Sequence, residues 1–458
     1  MTSAKGMKGA DPATLAFMRR AFADYYAKAE LQLPDRFGRR EWGFMFFGRD
    51  TMLRHVGFRS GAEVRGFLRR DAPAHAYHSA AYYERPDAQQ MKDKIWLGAD
   101  LIFDLDADHI EGSDKMSYEQ MLSVVKREII RLAEDFLLGD MGFDASTVHM
   151  VFSGGRGYHI HVTDQSVLGM DSRERREIVD YITGVGLDLE SGTVSPAMQE
   201  GGGGLAGGGA GQTASGGIFR LEVAGARGTG RFAKAIKARR LPPPDAPAWA
   251  GRISRATLGL LDELEALGEK AAVERMTVLG GPGKRGLGEA GAKGIYRDLF
   301  GKTAGGACGA DKLRNEGIAD VFSKEELARW FFEMIKETAG VKLEKKREER
   351  ITDVRATGET DEPVTSDIKR LIRLPTSLHG KTGFGVVPLG IDEIKDFDPL
   401  RDAVVLPGDP VKVTVLKELQ VRLKGEDFRL APGPTELPRY AALFAMGRGA
   451  AVVAEGKI

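Results

Sequence analysis

Cysteine is nearly absent: among 458 residues only Cys308 carries a thiol. One thiol cannot close an intramolecular disulfide or build a cysteine-rich zinc or iron–sulfur site within the chain, so no zinc is expected. That usage fits a reducing compartment. An excess of either charge is also missing. The 66 Lys and Arg are matched by 66 Asp and Glu, so the whole-molecule field does not single out a polyanionic partner, and any nucleic-acid surface has to be a local patch. Long apolar runs are missing too. No stretch approaches the roughly 20 apolar residues of a membrane span, and Met1 to Pro12 holds no signal-type apolar segment, so no membrane partner is expected and the protein reads as soluble and untargeted. What is present is length enough for two or three domains.

Residues 13–30 carry Leu15, Met18, Phe22 and Tyr26 at helical spacing, which predicts an N-terminal helix. From Arg40 to Phe58 the text turns aromatic and alternating around Gly48-Arg49-Asp50, a hairpin pattern. The apolar run 95–105 has strand length, and both segments are expected in a sheet. Ser117 and Gln120 form a capping box ahead of Met121, Leu122, Val125, Ile129, Leu132 and Phe136, predicting a helix to Gly139. Two short strands, 148–152 and 158–162, flank the glycine-rich turn Ser153 to Gly157. Residues 199–217 are low-complexity glycine and alanine, read as a loop or linker. Beyond them 254–277 and 322–341 are predicted helices, the second opened by a Ser323 and Glu326 capping box, which suggests a helical insertion. Segment 400–432 supplies short strands.

Three stretches carry chemistry. In Leu-Ile-Phe-Asp104-Leu-Asp106, the period of two places both carboxylates on one strand face and Phe103 and Leu105 on the other. Paired hard oxygen donors select Mg²⁺ or Mn²⁺. The same DxD text also occurs in glycosyltransferases, phosphatases and ordinary surface strands. Its apolar flanks argue against the last, because unpaired acids on a buried strand are costly. In Ser153-Gly154-Gly155-Arg156-Gly157-Tyr158-His159, the glycines let backbone amides approach an anion, Ser153 adds a hydroxyl and Arg156 a planar fork. A hairpin alone needs no such trio. The third stretch runs from Asp361 to Lys381. Thr365 or Ser366 can cap a short helix with Ile368, Leu371 and Ile372 facing inward and Pro375 ending it. Arg373, His379 and Lys381 would then project as a phosphate clamp, the alternative being a solvated basic helix.

Together and in this order, these stretches resemble the archaeal and eukaryotic DNA primase small subunit family, which carries a DxD strand, an SGxxGxH hairpin and a later acid followed by a run like RLIRLPxSLHGKTG. FDPLRDAVV, from Phe397, is similar to the family's C-terminal end. The resemblance implies an α+β fold: a mixed-sheet catalytic core with RRM-like elements and a mainly helical insertion. It implies that Asp104, Asp106 and Asp361 are catalytic, metal-binding carboxylates, with Asp361 a better match than Asp367. It further implies that Ser153, Gly154, Arg156, His159, Arg373, His379 and Lys381 hold the nucleotide's phosphates, and that Arg54 matches an early basic position. Many family members carry a cysteine-and-histidine zinc site. Here the segment from Ala107 to Lys115 has no cysteine.

The implied activity is metal-dependent nucleotidyl transfer with Mg²⁺ or Mn²⁺, making short RNA or DNA primers on single-stranded DNA for replication. The substrates are NTPs and, as a second option, dNTPs, and the partner is a large subunit in a heterodimer. The implied location is the cytoplasm, or the nucleus if the source is eukaryotic. Two alternatives share these motifs: a related polymerase serving repair or end joining, and a non-catalytic nucleic-acid-binding subunit using Lys234 to Arg240 or Lys345 to Arg350, runs that otherwise read as solvated helix faces. The expected division is a discontinuous catalytic domain (1–185 and 350–400), a glycine-rich loop with helical insertion (186–349), and a β-rich C-terminal extension (401–458) packing on the core.

Overall fold

The computed structural model describes residues 11–107, 116–185, 220–227, 234–279, 287–301, 307–339 and 360–454, with backbone alone for 220–227 and 234–238. The glycine tract 199–217, residues 108–115 and Lys345 to Arg350 lie outside them. The chain is an α+β protein that divides into two compact units. One comprises Met1–Glu134, Phe143–Arg176 and Thr360–Ile458; the other comprises Asp135–Gly142 and Glu177–Glu359.

The first unit opens with α1 (Pro12–Lys28), whose Asp11 carboxylate accepts from the Thr14 amide and whose Met18, Phe22 and Tyr26 are buried. Strands β1 (Trp42–Met45) and β2 (Met52–Val56) form the expected hairpin, and α2 (Gly61–Asp71) leads to β3 (His75–Ser79), which pairs with β1. The run 95–105 is not one strand. It splits into β5 (Trp96–Ala99), paired with β4 (Ala81–Tyr83), and β6 (Leu101–Asp106), which belongs to a different sheet. The break falls at Asp100, whose carboxylate is buried against Arg40 and Tyr82. α3 (Tyr118–Arg131) starts with the Ser117–Gln120 capping box and continues as a π-helical segment to Asp140. β7 (Val148–Phe152) and β8 (Gly157–Val162) follow as a hairpin, then α4 (Ser172–Thr183).

In the second unit the described backbone of β9 (Arg220–Arg227) pairs antiparallel with β10 (Lys234–Arg240), so the 234–240 basic run is a strand and not a helix face. Helices α5 (Ala248–Leu279), α6 (Glu289–Phe300), α7 (Gly309–Glu316) and α8 (Glu325–Ala339) follow. α5 is two helices broken at Gly268 (φ 70°, ψ 167°). Ser323 does not cap α8 as expected; its amide and hydroxyl both donate to Asp298.

Back in the first unit, α9 (Glu362–Ser366) starts earlier than the expected helix, with Asp361 at its N-cap position, and residues 371–373 are a strand, β11 (Leu371–Arg373). The physical reason is the free edge of β3. Pairing there satisfies the backbone and turns Ile372 into an apolar cluster with Ala80, Ile102 and Val364. Next come β12 (Val387–Leu389), α10 (Glu393–Asp396), α11 (Pro399–Asp402), strands β13 (Pro410–Val415), β14 (Leu419–Leu423), β15 (Glu426–Leu430) and β16 (Gly433–Pro438), helix α12 (Arg439–Gly447) and β17 (Ala451–Val453). Two four-stranded antiparallel sheets result, ordered β11-β3-β1-β2 and β12-β7-β8-β6. Residues 401–454 fall in the same unit as these sheets: β17 reaches α1 through a hydrogen bond from the Val453 amide to Thr14.

Candidate active site

Along β6, Phe103 and Leu105 are buried on one face while Asp104 and Asp106 share the other, their side chains 21% and 30% exposed. The partner strand β8 runs antiparallel, with His159 directly opposite Asp104 and Gly157 opposite Asp106. His159 Nε2 therefore meets Asp104 Oδ1 at 3.3 Å, and Arg156, one residue before β8, brings Nη2 to 3.6 Å from Asp106 Oδ1. Burial alone would raise the Asp104 carboxyl, but His159, Arg370 and Arg373 outweigh it and hold it below the ordinary range. The acid stays ionised. Asp361 joins from 257 residues further along the chain through its backbone, its amide donating to the Asp104 carbonyl at 3.0 Å.

The Ser153 to Gly157 turn sits against the loop that carries His379. Gly154 has φ +75°, and a Cβ there would lie 2.7 Å from the His379 Cβ, so both the backbone and the neighbour require glycine. The Ser153 hydroxyl accepts from the Gly155 amide at 3.4 Å. Thr382 donates its hydroxyl to the Gly154 carbonyl at 2.6 Å and meets His379 Nδ1 at 3.1 Å. With its only proton committed to Gly154, the hydroxyl accepts from His379 Nδ1–H, which leaves Nε2 of the neutral ring as the acceptor.

Arg373 stands on β11 beside His75 of β3, Nη1 to Nδ1 at 2.7 Å, and over the Tyr77 ring at 5.2 Å. A guanidinium only donates, so His75 Nδ1 accepts and the ring proton is on Nε2. The Gly380 amide also donates to Nδ1 at 3.3 Å, and the His75 and His379 rings meet edge to face with centroids 4.8 Å apart. Burial, with Arg373 and Lys381 nearby, holds both imidazoles well below the usual histidine range. Lys381, His75, Met45, Arg49 and Asp50 line a small open cleft.

Asp104, Asp106, Asp361, Ser153, Gly154, Arg156, His159, Arg373, His379 and Lys381 thus lie in one connected neighbourhood of the first unit. Arg54 is engaged elsewhere. It is on β2, three strands from Arg373 and so ~14 Å away along the sheet, and its Nε donates to buried Glu41 at 3.0 Å. Sequence reasoning missed His75, Thr382 and Arg370. His75 sits in the strand text His-Ala-Tyr-His, where nothing marks it off from core; Arg370 lies inside the third stretch and Thr382 immediately after it, and neither stands out from its neighbours.

A family model described as DNA primase small subunit matches residues 103–207. The chain is 41% identical over 443 residues to the DNA primase small subunit PriS of Methanothrix thermoacetophila, covering 96% of this chain and 99% of that one. It is 38% identical over 441 residues to the protein of the same description from Methanocella arvoryzae (96% and 98%), and 39% identical over 448 residues to that of Methanococcoides burtonii (96% and 99%).

Proposed function

Because this chain belongs to the DNA primase small subunit family, whose role is template-directed primer synthesis in replication, we propose that the Asp104 end of β6 is its nucleotidyl-transfer site. In this reading a 3′-hydroxyl attacks the α-phosphate of an incoming NTP or dNTP on a single-stranded DNA template, and pyrophosphate leaves. The observation that carries it is the convergence of three distant stretches: Asp104 faces His159 across one strand pair and receives the Asp361 amide.

The donor set suits a hard divalent cation, since Asp104 and Asp106 share one partly exposed face and Asp104 is held ionised. Among the described residues no three acidic, imidazole or thiol side chains are already gathered as a cage; His159 and Arg156 occupy the two carboxylates instead. When bound by Asp104, Asp106 and Asp361, Mg²⁺ or Mn²⁺ would lower the cost of charge on the attacking and leaving oxygens. The chain's own contribution is positioning. Arg156 and the amides of the glycine turn grip the triphosphate, Arg373 and Lys381 add positive charge, and His379 Nε2 takes up a proton as the anion arrives. His75 holds Arg373 in place. The small-subunit role further implies a large subunit as partner, and the exposed Asp104–Asp106 face is where template and primer end would meet.

The test is Asp104→Ala with Asp106→Ala, assayed for de novo primer synthesis and for extension of a primed template. Losing several kcal/mol of transition-state charge stabilisation predicts a fall of at least about a thousandfold in both assays, with melting unchanged. Retained synthesis would sink the assignment.

A further inference from the structure

The end of α12 touches both halves of the phosphate cradle. Gly447 backs directly onto the loop: a Cβ there would lie 2.5 Å from the Lys381 carbonyl and 3.0 Å from that of Gly380. Next to it, the Arg448 guanidinium lies over two rings, 4.5 Å from the Tyr118 centroid and 4.7 Å from that of Phe444. Phe444 stacks on Phe384 at 5.4 Å, and the Phe384 carbonyl accepts the His379 amide at 2.9 Å. Arg448 Nε is buried without a hydrogen-bond partner among the described residues. Aromatic faces hold this cation.

Tyr118, the first residue of α3, reaches the other half. Its hydroxyl donates to the Gly155 carbonyl at 2.5 Å, in the middle of the glycine turn. Burial pushes its phenol up to about 12 against the opposing pull of Arg448, so the hydroxyl keeps its proton and remains a donor. A trans peptide sets a carbonyl and the following N–H antiparallel. Fixing the Gly155 carbonyl on Tyr118 therefore fixes the direction of the Arg156 amide.

We propose that Tyr118 and Arg448 are positioning residues for the triphosphate: Arg448 braces the Tyr118 ring, and Tyr118 holds the Gly155 carbonyl so that the turn presents its amides to phosphate. This rests on reading the turn as the triphosphate site. It adds two residues from outside the motif stretches, one of them from the C-terminal segment.

The experiment measures kcat and KM for nucleotide incorporation by the full-length chain on a primed single-stranded template, with a melting curve for each variant. Tyr118→Phe removes one hydroxyl and keeps the ring, so it is expected to raise KM for nucleotide about three- to tenfold with kcat within about twofold and melting unchanged. Arg448→Met should raise KM similarly, and the double variant should be no worse than the worse single one, because the two act through one contact. Arg448→Lys keeps the charge but loses the planar stack and should fall between. If Arg448→Met fails to fold, Tyr118→Phe decides alone. Unchanged KM in Tyr118→Phe, or additive effects in the double variant, overturns the inference while leaving the site intact, provided Arg156→Ala still raises KM. If Arg156→Ala also leaves KM unchanged, the turn is not the triphosphate site and the underlying reading fails with it.

Discussion

Just ahead of β6, Asp100 is 1% exposed with a donor on each oxygen: Arg40 Nη2 at 2.7 Å on one and the Tyr82 hydroxyl at 2.5 Å on the other, with Arg175 donating to its backbone carbonyl at 2.7 Å. On β6 itself, Asp104 and Asp106 keep a fifth to a third of their side-chain surface, with His159 at 3.3 Å from Asp104 and Arg156 at 3.6 Å from Asp106. The residue type is the same, and only a few residues of chain separate them. A buried acid with a protein donor on each oxygen is part of the scaffold, whereas acids that face cationic or imidazole groups on a partly exposed face can exchange those partners for a ligand.

Removing each acid in turn and measuring stability separates the two kinds most clearly. Asp100→Ala leaves Arg40 charged, 1% exposed and unpaired, so denaturant unfolding should show a loss of about 3–5 kcal/mol. Asp104→Ala should change stability by no more than about 1 kcal/mol while removing activity. Equal destabilisation by the two would erase the distinction.

A smaller effect is expected from the cation that faces Asp106. If Arg156 grips phosphate as proposed, Arg156→Ala forfeits a charge-assisted contact of about 1.5–3 kcal/mol, which predicts a KM for nucleotide raised roughly ten- to a hundredfold in steady-state incorporation. A change confined to kcat would place Arg156 on the reacting centre and not on the bound triphosphate.

Spread over the molecule, with no single site behind it, is the response to acid. His75, His161 and His379 are held well below the ordinary histidine value, and His78 is lowered to about 3, all chiefly by burial. The unfolded chain binds protons on these rings as pH falls through about 6.5, whereas the folded chain does not, so stability declines below that pH, by up to about 1.4 kcal/mol per pH unit for each ring. Melting temperatures between pH 7 and 5 check it. His78→Gln or His161→Gln should flatten the slope, and an unchanged slope would mean that other groups set the acid limit.

How much of this was legible in the text follows the same division. Periodicity and capping revealed α1, α3 and the β7–β8 hairpin because each announces itself within a dozen residues. The DxD face was legible because alternation alone places Asp104 opposite Phe103. The split at Asp100 was not, since only Arg40 and Tyr82, distant in sequence, explain why an acid interrupts an apolar run. β11 was mistaken for helix because its spacing suits both, and the free edge of β3 decided between them. His75 stayed hidden for a similar reason: its partners Arg373 and Gly380 lie some 300 residues away. Residues whose role lies in local backbone geometry were readable, and residues whose role lies in long-range pairing were not.

In the proposed reading, Asp104 and Asp106 form a cation site that the scaffold acid Asp100 does not share. Equilibrium titration of Mn²⁺ into the full-length chain with a bound nucleotide tests it most directly. Wild type should bind the metal with a defined stoichiometry that Asp104→Ala with Asp106→Ala abolishes, leaving the melting curve in place. Undiminished binding by that variant would place the cation elsewhere.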